Sequence, residues 1–166
     1  MNQPAALLTT ARLRLPLITP AQAADLIGGR HHSSFAPGFP RRDDLDVCSL
    51  VKTVQPWGPR LVIRAVDGLV CGTAGFFGEP APVDGEADVL EIEVGFGLVP
   101  DARGRGVATE ALSELVAAAD AAGVRVRASV AAENAASLRV LAHCGFTQLR
   151  GANEDGHLVM VRPVPR

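Results

Sequence analysis

The sequence predicts an α+β fold: a mixed, mostly antiparallel twisted sheet flanked by helices, in a single domain. Three observations lead there. Two strand patterns joined by Asp67-Gly68, a strong two-residue hairpin signal, precede the main helix. One strand–helix–strand crossover follows over residues 89–130 and is not repeated, unlike in a doubly wound parallel sheet. The chain has 166 residues, the size of one domain with a sizeable core.

The elements follow in order. Arg12-Leu13-Arg14-Leu15 alternates as a half-buried strand does. Pro20 opens an Ala-rich helix to Ile27, stopped by Gly28-Gly29. Residues 30–58 have the weakest pattern and read as a shaped loop region of the kind that lines substrate sites, with a short helix near 44–54. Strands are expected at 61–66 and 69–77, a Pro- and acid-rich loop at 78–88, and a strand at 89–99 ended by Pro100. Val107, Ala108, Ala111, Leu112, Leu115, Val116 and Ala119 recur at helical spacing, placing a helix over 104–121 that Gly123 stops. Residues 124–130 alternate as a strand. Asn134 caps a helix to about His143, closed by Gly145, and strands at 146–149 and 158–161 finish the chain.

Composition narrows the function. The net charge of −2 gives no reason to expect nucleic-acid binding. Polar-free stretches fall far short of the ~20 residues of a membrane span, and the start lacks a basic region followed by a long apolar core. Three widely spaced cysteines, Cys48, Cys71 and Cys144, fit reduced thiols, and a cytoplasmic location is expected. The histidines show no metal-ligand spacing, so no metal is expected.

The informative segment runs from Pro100 to Thr109, between a strand and an amphipathic helix. Unpaired N–H groups and the dipole at a helix start attract phosphate. Glycine lets the backbone approach a pyrophosphate closely, and Arg103 and Arg105 add positive charge. No GxxxxGK[ST] string exists. A GxGxxG/A reading fails because Thr109 stands where the third small residue belongs and no acid ends the next strand.

Arg103-x-x-Gly106-x-Ala108 resembles the pyrophosphate loop of the GNAT superfamily of N-acetyltransferases. Glu93–Pro100 before it is similar to that family's splayed strand. Asn134–Leu141, then Cys144-Gly145-Phe146, resembles its second motif, and Leu8–Leu15 resembles the branch that includes ribosomal-protein N-terminal acetyltransferases. The resemblance implies acetyl-CoA as co-substrate, with backbone from Arg103 through Gly104, Arg105, Gly106, Val107 and Ala108 to Thr109 holding its pyrophosphate. It also implies that Gly97 and Leu98 pair with the pantetheine arm like an added strand, with the Leu98 N–H stabilising the oxyanion, and that Asn134 helps place CoA, a role compatible with capping. Glu93, on the same strand face as Glu91, matches the family's general base; the bland alternative is a solvated or salt-bridged carboxylate. The family's frequent tyrosine acid is excluded, since the chain has no Tyr and Leu141 stands there. Ser137 is the nearest substitute, unless it only caps its helix. Cys144 ends a helix, the wrong end for a stabilised thiolate.

The implied reaction is direct acetyl transfer to an amine acceptor in a ternary complex. A protein or peptide N-terminal α-amine, pKa ~7.7–8.0, asks less of a sparse acid–base set than lysine, pKa ~10.4. A small-molecule (antibiotic or polyamine) acceptor and a non-catalytic acyl-CoA-binding sensor module are the alternatives. The acidic run over residues 79–93 would attract a cationic amine if it borders the site and is otherwise a solvated loop. C-terminal edge strands offer a surface on which a homodimer could pair.

Overall fold

Local signals set most element boundaries in the computed structural model, which describes residues 2–164. The first two strands are β1 (Leu7–Thr9) and β2 (Leu13–Pro16). Thr19 then caps α1 (Pro20–Ile27) in a reciprocal box: the Gln22 N–H donates to Thr19 Oγ1, and Gln22 Oε1 accepts from the Thr19 N–H. α2 (Arg42–Ser49) lies in the region that the sequence left as loop with a short helix. It starts and ends earlier than expected because the Asp44 carboxylate accepts from the Arg41 N–H and fixes the first turn.

β3 (Pro59–Arg64) and β4 (Val70–Val83) are joined by a longer loop than the expected two-residue Asp67-Gly68 hairpin: Ala65 and Val66 leave the strand, the Gly68 N–H donates to the Arg64 carbonyl at 2.8 Å, and the Arg64 N–H donates to the Leu69 carbonyl at 3.0 Å. β5 (Glu86–Leu98) follows. The expected loop over 78–88 is therefore the extended tip of the β4–β5 hairpin, turning at Asp84-Gly85. Ala81 pairs with Glu91 and Pro82 with Leu90, and a register shift between Phe77 and Ala81 accommodates Pro80. Cross-strand pairing has overridden the loop-like composition, and proline is tolerated at such an irregularity. A 3₁₀ turn (Pro100–Ala102) leads to α3 (Val107–Ala121), β6 (Arg125–Val130), α4 (Ala135–His143), β7 (Gln148–Ala152) and β8 (Leu158–Arg162).

The eight strands form one sheet in the order β1-β2-β3-β4-β5-β6-β8-β7. Only β5 and β6 run parallel, which bears out the mixed, mostly antiparallel α+β expectation. Their pairing is brief: Glu91, Ile92 and Glu93 face Arg125, Val126 and Arg127, and then the strands part. β5 continues to Leu98 paired only with β4, while β6 pairs with β8. The two strands thus open a cleft beyond Glu93.

α3 buries Val107, Ala111, Leu112, Leu115, Val116 and Ala119, six of the seven positions that the periodicity selected. Ala108, the seventh, is half-buried. α3 packs on β5 and β6. The opposite face of β5 carries Glu91, Glu93, Gly95 and Gly97 by alternation. α2 covers that face, because Asp44 accepts a 2.7 Å hydrogen bond from Thr73 Oγ1, and Thr73 is the register partner of Gly97. Among the described residues no helix is long and apolar enough to cross a membrane.

Candidate active site

The pyrophosphate-type loop is built from two left-handed glycines, Gly104 at φ 74° and Gly106 at φ 75°. A side chain at Gly104 would meet nothing within 4 Å, so the requirement there is conformational and open space lies beside the loop. Gly106 is the N-cap of α3, and the first helical bond runs from the Glu110 N–H to the Gly106 carbonyl at 3.0 Å. The N–H groups of Val107, Ala108 and Thr109 precede it and have no helical partner. Arg103 folds back, its Nε donating to the Leu98 carbonyl at 3.0 Å.

The turn between β1 and β2 braces this loop. Arg12 donates through Nη1 to the Arg105 carbonyl at 3.0 Å and through Nε to Glu110 Oε1 at 2.8 Å. Thr10 Oγ1 and the Arg12 N–H both donate to Glu110 Oε2. Burial alone would raise the Glu110 carboxyl, but these bonds from Thr10 and Arg12 outweigh it and hold it below the ordinary range. Glu110→Ala should weaken acetyl-CoA binding roughly fivefold by loosening the brace, as calorimetry would read.

A recess of about 480 Å³ opens in front of the loop. Its walls include Gly97, Leu98, Arg103, Gly104, Gly106, Val107, Ala108 and Thr109 on one side, and Asn134 and Ser137 on the other. The structure therefore gathers every residue expected at the cofactor site except Arg105. That side chain lines a separate recess with Arg12 and Arg64, on the far side of the loop. The Arg105 carbonyl is turned to the same side, where it accepts from Arg12.

Strand geometry assigns different roles to neighbouring β5 residues. The Val99 N–H donates to the Cys71 carbonyl at 2.8 Å. Hydrogen-bonded pairs alternate along an antiparallel ladder, so Gly97 turns its N–H and carbonyl toward Thr73. Leu98 and Phe96 present theirs to the cleft. Gly97 thus contributes space, while the free N–H of Leu98 points where β6 has parted.

Asn134 caps α4, its Oδ1 accepting from the Ser137 N–H at 3.1 Å. The capping role weighed for Ser137 belongs to Asn134, and Ser137 faces the recess. Arg139, Val140 and His143 also line it. The helix was legible in the sequence, but which of its faces met the cleft depends on the packing of α4 against α3.

Glu93 lies elsewhere. It borders a second recess of about 230 Å³ with Phe77, Gly95 and Ser129. The two recesses share Arg41, Asp43, Phe96 and Gly97, so they meet across β5. Glu93 and Ser137 stand on opposite sides of that junction. Glu91, on the same face as Glu93, is committed to structure. It is 3% exposed and accepts from Arg125, Arg127 and Arg150. Among the described residues Glu93 has only Arg127 within ion-pair reach, at 3.9 Å, and its side chain keeps 31% exposure. All three cysteines are buried, and burial pushes the Cys144 thiol up, against the pull of Ser113 and Arg162. Neither its position nor its protonation suits a nucleophile.

A helix N-terminus with free N–H groups thus opens beside a parted parallel strand pair, an arrangement suited to a ligand that carries phosphate. Residues 12–147 match the family model of the acetyltransferase (GNAT) domain, and the chain belongs to that family. Acetyl-CoA-dependent acyl transfer is the activity of the family.

Solved structures agree on the fold. A protein described as a GNAT-family acetyltransferase from Bordetella pertussis is 25% identical, with a TM-score of 0.69 over 96% of this chain and 100% of its own. The ribosomal-protein-S5-alanine acetyltransferase from Vibrio fischeri is 18% identical, with a TM-score of 0.64 over 96% and 97%. An acetyltransferase from Salmonella typhimurium, solved with its cofactor acetyl-CoA, is 22% identical, with a TM-score of 0.63 over 93% and 95%. Comparison with curated proteins gives no significant match.

Proposed function

We propose that this chain transfers an acetyl group from acetyl-CoA directly to the α-amine of a protein or peptide N-terminus. The observation that carries the reading is the junction of the two recesses at Phe96 and Gly97, with the phosphate cradle on one side and Glu93 on the other. The residues present fit acetyl-CoA: left-handed glycines, free helix N–H groups and a strand with unpaired polar groups.

When bound, acetyl-CoA supplies an activated acyl group and a thiolate leaving group. Val107, Ala108 and Thr109 hold the pyrophosphate through their N–H groups. The Phe96 N–H and carbonyl would pair with the pantetheine arm, and the N–H of Leu98, whose carbonyl is held by Arg103, would donate to the acyl oxygen. Glu93 takes the proton from the incoming amine, directly or through water. Ser137 donates a proton on the cofactor side.

The Vibrio fischeri protein of similar fold is a ribosomal-protein-S5-alanine acetyltransferase, and the same acceptor class is proposed here. The 230 Å³ recess also favours a second reading, a small-molecule amine acceptor, because it accommodates a small group. A cytoplasmic location belongs to the same proposal. So does a homodimer paired along β7, which ends the sheet with all five residues exposed.

The test is incubation with acetyl-CoA and a panel of peptides, lysine peptides, polyamines and aminoglycosides, with products read by mass. Acetylation of peptide α-amines is the expected outcome. Glu93→Gln should lower kcat about 100-fold or more while acetyl-CoA affinity stays within about twofold. Equal turnover would remove Glu93 as the base. Tight acetyl-CoA binding without any product would favour the sensor module.

A further inference from the structure

We propose that Arg41 selects the acceptor: its free Nη1 donates to the carbonyl next to the α-amine, so the site takes α-amino acyl compounds, peptides above all, over amines without that carbonyl. The inference rests on the transferase reading above and names the substrate class of that same site.

Position comes first. Arg41 is the N-cap of α2 and lines both recesses. A Cβ built on Gly97 would run first into Arg41 Nη2 and would stand 2.7 Å from Nη1 and 2.8 Å from Cζ, so the guanidinium covers β5 where the two recesses meet. The glycine leaves the room that the guanidinium fills.

Rigidity follows. Arg41 donates to Asp44 through Nε at 3.1 Å and through Nη2 at 2.8 Å, and its backbone N–H donates to the same carboxylate at 2.8 Å. Asp44 is 0% exposed and also accepts from Thr73 Oγ1. The planar fork is therefore locked by two bonds, a preorganisation that lysine lacks. Among the described residues Nη1 has no hydrogen-bond partner, although it lies at the junction.

Charge then selects the ligand atom. The Asp44 carboxylate neutralises the guanidinium, and Asp43 and Glu93 border the same recess. A free carboxylate would face those two acids. A neutral amide oxygen can take the Nη1 donor without that repulsion, while the cationic amine is drawn toward Glu93. A peptide N-terminus carries both groups on adjacent carbons. Polyamines and lysine side chains have no carbonyl there.

Arg41→Lys is the test. One ammonium can keep the pair with Asp44, but it cannot also offer a second nitrogen at Gly97. The acceptors are a tripeptide amide with N-terminal alanine and an alkylamine of similar size lacking the carbonyl. The variant should raise KM for the peptide amide about tenfold or more. KM for the alkylamine and Kd for acetyl-CoA should stay within about twofold. Calorimetric titration of the peptide amide into protein saturated with CoA should show the same loss. Equal changes for both amines, unchanged peptide affinity, or a shifted acetyl-CoA Kd would each overturn the inference. If the wild type acetylated neither amine, the transferase reading would fail, and the titration alone would still decide whether Arg41 binds the peptide. Should Arg41→Lys not fold, Arg41→Met with Asp44→Asn removes both charges of the pair and carries the same measurements.

Discussion

Gly106→Val is expected to abolish measurable acetyl-CoA binding, a loss of about 100-fold or more, in a protein that still folds. Gly106 sits at φ 75°, a region closed to β-branched residues. The steric room is not the difficulty, since an added Cβ would meet only Arg12 Nη2, at 3.5 Å. Valine would instead turn the N-cap out of its left-handed conformation, at a cost of about 1–3 kcal/mol. The adjacent N–H groups of Val107, Ala108 and Thr109 would turn with it. Several hydrogen bonds to a charged pyrophosphate, each contributing about 1.5–3 kcal/mol, would then lose their geometry together. The buried positions Ala111, Leu112, Leu115, Val116 and Ala119 of α3 lie further along the helix and hold the fold. Calorimetry with CoA, beside a circular-dichroism check of folding, reads the result. Unchanged affinity in a folded variant would remove the loop from the cofactor site. Gly104→Ala, also left-handed at φ 74° but two residues before the cap, should weaken binding less.

The parts of this site that were legible in the sequence are those set by neighbours in the chain. The helix cap at Asn134 and the left-handed glycines at 104 and 106 each depend on a few consecutive residues, and each is found where the sequence indicated. The hairpin tip was hidden because Pro80 and Pro82 look like loop residues, while pairing of Ala81 with Glu91 and of Pro82 with Leu90 extends the strand past the irregularity that takes up Pro80. β1 is three residues long and takes its order from β2, so it carries no periodicity of its own. Arg41 was invisible for a related reason. Its partner Asp44 is local, but Thr73 and Gly97 come from two other strands. Alternation correctly put Glu91 and Glu93 on one face and could not separate their roles, because the decisive neighbour, Arg150, comes from β7.

That separation carries the second large effect. Glu91→Gln should destabilise the protein by about 3–5 kcal/mol, the usual cost of removing one partner from a buried ionic cluster. Glu91 accepts two bonds from Arg150, each at 2.7 Å, one from Arg125 at 2.6 Å and one from Arg127 at 3.1 Å. Burial would raise its carboxyl, yet the bonds from Arg150, Arg125 and Arg127 prevail and lower it from 4.5 to about 2. A depressed carboxyl stabilises the fold fully above its unfolded value. That contribution fades as pH falls from about 4.5 toward 2, and the shift corresponds to about 3 kcal/mol. The wild type should therefore lose stability across that window, and Glu91→Gln should lose much less there because it has already lost the charge. Denaturant unfolding at pH 7 and at pH 3 reads both effects, and parallel pH profiles would show that the cluster contributes little. The same substitution should reach catalysis. Arg127 Nη2 already lies 3.9 Å from Glu93 Oε2, and without Glu91 it is free to close that gap. A tighter ion pair would stabilise the Glu93 carboxylate and weaken it as a base. Folded Glu91→Gln should thus show lower kcat with unchanged acetyl-CoA affinity. Adding Arg127→Gln should restore part of that kcat, an outcome that general loosening of the sheet would not produce.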